Sequence, residues 1–99
     1  MATEKELVEM RERFEEVCEE NQHIFSRKNE EYGNGIVSTG VLGAAIELFG
    51  AAMRLKTLVI QNPTAGADKI DLILNVAIDV HNYSNILILM MEDKNWRGE

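Results

Sequence analysis

The chain has 99 residues, one cysteine, a formal net charge of −7 and 45% hydrophobic residues. That length fits a single domain, residues 1–99, with a thin core. Lone Cys18 excludes an intrachain disulfide framework, and the acidic balance disfavours nucleic acid, whose backbone requires a basic patch. Aromatics are scarce and the one proline is Pro63, which leaves long uninterrupted segments rich in Leu, Ile, Val, Ala and Met. The expected fold is all-α.

The N-terminus is acidic and amphipathic, unlike a signal peptide, so a cytoplasmic location is expected. A first helix is predicted from about Glu4 to Glu31. Thr3 and Glu6 form a capping box. Leu7, Met10, Phe14, Val17, Ile24 and Phe25 recur at spacings of three and four, one helical face. Asn21 and Lys28 interrupt it. Gly33-Asn34-Gly35 ends the helix, because glycine and asparagine tolerate positive φ.

A second helix is predicted from Thr39 to Ile60, capped by Ser38 or Thr39. It stops before Asn62-Pro63, because the residue preceding proline is pushed out of the α region. It is apolar almost all round and is expected to be central. One stripe differs: Gly40, Gly43, Glu47, Gly50, Arg54 and Thr57. Its glycines imply either close helix–helix contact or room for a ligand beside Glu47 and Arg54.

A third helix is predicted from Ala67 to Glu92, after the loop Pro63–Gly66. Trp96 in the polar tail is available to dock back. Segments 41–60 and 72–91 have bilayer-spanning length. Glu47, Arg54 and Lys56 in one, and Asp79, His81 and three asparagines in the other, argue against a membrane.

The third helix carries a polar row. Asp71, Asn75, Asp79 and Asn82 fall within about 80° of one another, and Asp68 and Asn85 extend the row. It is either a solvent-facing stripe or a recessed line. Recession is favoured, because Leu74, Ile78, Ile86 and Leu89 share the sector and Lys and Glu are missing from it. Carboxylates at helical-turn spacings can converge on a hard cation, and that would offset the cost of burying them.

The first helix ends unusually, in Lys28-Asn29-Glu30-Glu31-Tyr32-Gly33. This K-N-E-E-Y-G, followed by Asp71, Asn75, Asp79, Asn82 and Tyr83 as D-x-x-x-N-x-x-x-D-x-x-N-Y, resembles the small MazG-like proteins. These belong to the all-α nucleoside triphosphate pyrophosphohydrolase superfamily, and the nearest branch is a phage- and prokaryote-associated, nucleotide-modification-associated group. Arg54-Leu55-Lys56-Thr57-Leu58 fits the group's R-L-x-x-L element. The resemblance covers about residues 28–88. Asp71 stands where the group has Glu, Asn75 and Glu31 where it has Asp, and Ala51 where it has a lysine.

The resemblance implies Mg²⁺- or Mn²⁺-dependent hydrolysis of a nucleoside triphosphate to the monophosphate and pyrophosphate. Asp71 and Asp79, with Glu31 or Glu47, would hold the metal. Lys28 and Arg54 would neutralise phosphate, and Asn29, Asn75 and Asn82 would orient ligands or read the base. No residue is assigned as catalytic base. Glu15-Glu16-Val17-Cys18-Glu19 also matches E-E-x-x-E, a metal motif of helical pyrophosphohydrolases. Glu15 and Glu19, however, point well over 100° from their helix's apolar face and read as a solvated surface. Three helices per chain, bundled with a second copy as a dimer or a pair of dimers, complete the expectation. The alternative is a helical oligomerisation module whose buried Asn/Asp row sets register, which Asn75 in place of a carboxylate favours.

Overall fold

The computed structural model is all-helical and describes residues 1–32, 35–64 and 66–93. Helix α1 spans Glu4–Tyr32. The expected capping box is present: Thr3 Oγ1 accepts from the Glu6 N–H at 3.2 Å, and Glu6 Oε1 accepts from the Thr3 N–H at 3.3 Å. Thr3→Ala is expected to cost about 0.5–1 kcal/mol, the lower part of the range for a lost cap, because the site is exposed. The loss should appear as faster hydrogen exchange of the first-turn amides. Unchanged exchange there would show that the cap contributes nothing.

Gly33 and Asn34, where the sequence places the turn after α1, lie outside the described residues, as does Trp96. A 3₁₀ turn, Gly35–Thr39, then leads into α2, Gly40–Gln61. The expected cap of α2 by Ser38 or Thr39 is not formed. Thr39 is already right-handed helical at φ −88° and ψ −3°, without a side-chain cap bond, and Ser38 Oγ donates to the Gly35 carbonyl at 2.7 Å. The chain enters α2 while turning, so no extended residue stands where a cap needs one. Gly40 takes φ 71° at this junction, a left-handed conformation that glycine adopts without strain.

At the other end, the N–H and Nδ2 of Asn62 both donate to the Leu58 carbonyl, at 3.1 and 2.9 Å. Pro63 bars Asn62 from continuing the helix. Helix α3 spans Ala67–Glu92, as the sequence predicts.

The short connection turns α3 back along α2, and these two helices pack as a bundle-like pair. Helix α1 lies on α3 at another side and hardly meets α2. The central helix is therefore α3, not the expected α2. Ala44 and Ala51, both fully buried, lie on one side of α2 and admit α3 closely. Val41, Leu48, Leu55 and Leu58 are half-buried, whereas Leu42, Ile46, Phe49, Met53, Val59 and Ile60 are exposed.

The core is small. Among the described residues the buried apolar side chains are Ala44, Ala51, Val76, Ile86 and Met90. Phe25, Val41, Tyr83, Leu87 and Leu89 pack partly buried against Ala44, Ile86 and Met90. Helix α1 runs antiparallel to α3, so that Phe14 faces the level of Leu89 and Lys28 that of Asp79. Its first turns project beyond the body with Leu7, Met10 and Phe14 exposed. Residues Asp68–Glu92 are long and apolar enough to cross a membrane by length and composition, as core helices of soluble proteins also are.

Candidate functional site

A hollow of about 640 Å³ opens between the end of α1, the 3₁₀ turn, the start of α2 and the middle of α3. Phe25, Lys28 and Asn29 line it from α1, and Gly43, Ile46 and Glu47 from α2. Asp79, Asn82, Tyr83 and Ile86 line it from α3, and Gly35 and Thr39 complete the wall. Lys28 Nζ lies 3.4 Å from Asp79 Oδ1, joining residues 51 positions apart in the chain. Both side chains retain solvent contact, at 57% and 31% exposure, so the pair is a loose one.

Gly43 makes room here. A Cβ at this position would collide with the Thr39 side chain, so the missing side chain accommodates the preceding turn, not a neighbouring helix. At Gly50 a Cβ would meet only Arg54 Nη1, at 3.8 Å. Close helix–helix approach, one of the two readings of the glycine stripe, is found at neither position.

Tyr83 reports the electrostatics of the hollow. Burial, then the carboxylates of Asp79 and Glu47, push its phenol above the usual 10.0, while Arg54 and Lys28 pull it back. The folded protein thus favours the neutral phenol. Its stabilising contribution is fully present below pH 10.0 and is lost as pH rises through the higher folded value. In an ultraviolet titration one tyrosine should ionise later than an ordinary phenol, and Tyr83→Phe should remove that late step. An unchanged titration in the variant would show that the hollow is more open and less charged than described.

Of the sequence-predicted site residues, the hollow gathers Lys28, Asn29, Glu47, Asp79 and Asn82. Arg54 stands close enough to act on Tyr83. Glu31, Asp71 and Asn75 are exposed and do not line it. Asp71 and Asp79 are separated by about 12 Å along the helix axis, too far for one ion to join them directly. The polar row is therefore only half recessed. Asp79 and Asn82 are partly covered, whereas Asp68, Asp71 and Asn75 face solvent. Helix α1 ends at Tyr32, one turn beyond Lys28, and leaves the first turns of α3 uncovered.

A second hollow, about 730 Å³, lies between α1 and α3 on the other side of Phe25, Asn82 and Ile86, which line both. Glu15 and Glu19 line it from α1 with Cys18, opposite His81 and Asn85. The sequence reading put these two carboxylates on a solvated face. They are exposed, but they border a groove, because α1 leans on α3 along Phe25 and leaves a gap towards Phe14. Arg13 engages the neighbouring carboxylates instead, at 3.0 Å from Glu16 and 3.3 Å from Glu20. The ring Nδ1 of His81 lies 3.2 Å from Asn82 Oδ1.

The donors of the first hollow are hard oxygens: the Glu47 and Asp79 carboxylates and the amide carbonyls of Asn29 and Asn82. Among the described residues no three His, Cys, Asp or Glu side chains converge on one point. The described residues therefore form no dedicated cage for a metal. Two carboxylates nevertheless fit Mg²⁺, which binds through one or two carboxylates, keeps several waters and takes its remaining oxygens from phosphate. No protein-family model, curated protein or solved structure matches the chain.

Proposed function

We propose that the hollow at Lys28, Glu47 and Asp79 binds a nucleoside triphosphate with Mg²⁺ or Mn²⁺ and releases pyrophosphate from it, in a MazG-like chain that works as a homodimer. The observation that carries this reading is the meeting of Lys28 and Asp79 on the wall of a part-apolar hollow that also holds Glu47 and two amides. Phosphate chemistry needs this combination, because positioning and charge neutralisation do most of the work. When bound, Mg²⁺ supplies neutralisation of phosphate oxygens and acidifies a water.

The residues of this chain do the rest. In the free protein Asp79 pairs with Lys28. With a metal and substrate bound, Asp79 would help to hold the metal, and Lys28, released from it, would neutralise a phosphate oxygen. The exchange is inexpensive, because a solvent-exposed ion pair is worth about 0–1 kcal/mol. Arg54 adds a second cation on the same side. Phe25, Ile46 and Tyr83 offer apolar and aromatic surface for a base or ribose, and Asn82 offers both a donor and an acceptor to a base edge.

The test is pyrophosphate release from a panel of ordinary and modified nucleoside triphosphates with Mg²⁺ or Mn²⁺, alongside melting with each ligand. A ligand bound at a hundred times its dissociation constant adds about 2.7 kcal/mol to stability. No pyrophosphate and no melting shift across the panel would favour the second reading, a helical interaction module. The amount of apolar surface left uncovered supports that second reading.

A further inference from the structure

We infer that the hollow between α1 and α3 is the seat of the chain's own segment after α3, with Trp96 on its apolar end and Lys94 and Arg97 against Glu15 and Glu19. The hollow has an apolar lining and an acidic side. Phe14, Phe25, Ile86 and Leu89 line it, and Phe14 is 65% exposed there. Glu15 and Glu19 border it from α1, and both are exposed. Among the described residues no lysine or arginine lines it, and no ion pair reaches either carboxylate. Arg13, the nearest cation along α1, is engaged by Glu16 and Glu20 instead. The complement of such a surface is a large apolar side chain flanked by cations.

Residues 94–99 have that composition. They follow directly on the described residues and read Lys-Asn-Trp-Arg-Gly-Glu. In a chain of net charge −7, this segment places Lys94 and Arg97 around Trp96 against one carboxylate, Glu99. A tryptophan removes about 150–250 Å² from water when it is covered, more than any other side chain outside the helices offers.

Reach also selects this occupant. Helix α3 ends at Glu92, and Asp93 leaves it extended, at φ −129° and ψ 109°, with its N–H on the Leu89 carbonyl at 2.9 Å. Leu89, at the near end of the hollow, lies about 6 Å back from Asp93 along the helix axis. Three residues of extended chain span about 10 Å, so Trp96 reaches Leu89 and Phe14. Glu19 lies about 7–8 Å beyond the level of Phe14, which Arg97 covers with one more residue and its side chain. The path requires a reversal after Asp93, and Asn95 is of a type that tolerates turns. Tethering by so short a linker sets an effective concentration on the order of millimolar, an advantage over any free ligand of the same chemistry. Phe25, Asn82 and Ile86 line both hollows, so a docked segment backs the wall of the first. The docking itself does not rest on the nucleotide reading.

Trp96 is the one tryptophan, so its fluorescence reports on this segment alone. The full chain without nucleotide should emit at shorter wavelength than N-acetyltryptophanamide. Acrylamide should quench it several-fold less, at every concentration from nanomolar to micromolar. Lys94→Glu with Arg97→Glu should move both readings towards those of the free amide, at unchanged helical circular dichroism. Glu15→Lys with Glu19→Lys should do the same from the other side. All four changes together should return the shielded emission, because opposite charges then meet again. A merely misfolded variant cannot regain shielding in this way. Free-amide emission from the wild type overturns the docking. Shielding that persists in either double variant, or that the combined variant does not regain, overturns the seat at Glu15 and Glu19. Shielding lost on dilution assigns the seat to the segment of a second copy and overturns docking within one chain. Failure of nucleotide hydrolysis leaves all these readings standing.

Discussion

Asp79→Ala is expected to abolish pyrophosphate release, with a loss of about a hundredfold or more, while melting within about 1 kcal/mol of wild type. The two halves of this expectation have different causes. The proposed activity would depend on Asp79 because it shares the hollow with Lys28 and Glu47, where a metal and a phosphate would meet. The stability hardly depends on it, because its one ion pair is at 3.4 Å between part-exposed side chains. Lys28→Ala should raise KM more than it lowers kcat, since a lysine on a phosphate binds ground state and transition state alike. Asp71→Asn should keep more activity than Asp79→Ala, because Asp71 is exposed and two turns away. Wild-type pyrophosphate release by Asp79→Ala would move the reaction out of this hollow.

Local chemistry was legible in the sequence wherever one helix decides the matter. The extent of α3, the Thr3–Glu6 cap and the stop at Asn62-Pro63 follow from periodicity, side-chain capping and proline sterics. Part of the site was legible too, because a lysine on an apolar face and a carboxylate within an apolar helix both call for partners, and Lys28 and Asp79 find each other. What failed turned on how much of a face a neighbouring helix covers. A helix apolar all round was read as central. In α2 that composition instead reflects two faces, one for α3 and one that none of the other described residues covers. For the polar row of α3 a recessed line was favoured over a solvent-facing stripe, but the length of α1 decides how much of it is covered, and α1 stops short of Asn75 and Asp71. Glu15 and Glu19 were assigned by angle to solvent and both are exposed, but the angle does not show that they border a groove between α1 and α3.

Asn21→Leu is expected to stabilise the protein by about 1–3 kcal/mol, read as a higher urea midpoint at unchanged slope. Leu7, Met10, Phe14, Val17, Asn21, Ile24 and Lys28 follow one another along α1 at alternating spacings of three and four. Asn21 is the member that is buried, at 6% exposure, and among the described residues no hydrogen bond reaches its side chain. An amide removed from water without a partner costs about 1–3 kcal/mol, and a leucine of similar size removes that cost. Its retention in the interior points to specificity. A single asparagine in an apolar seam disfavours registers that would bury it worse, at a cost in stability. The substitution should therefore also broaden the association behaviour, so that sedimentation of Asn21→Leu is more heterogeneous than that of wild type. A fall in stability instead would show that the assembled protein gives this amide the partner that one chain does not, most simply a polar group of the second copy.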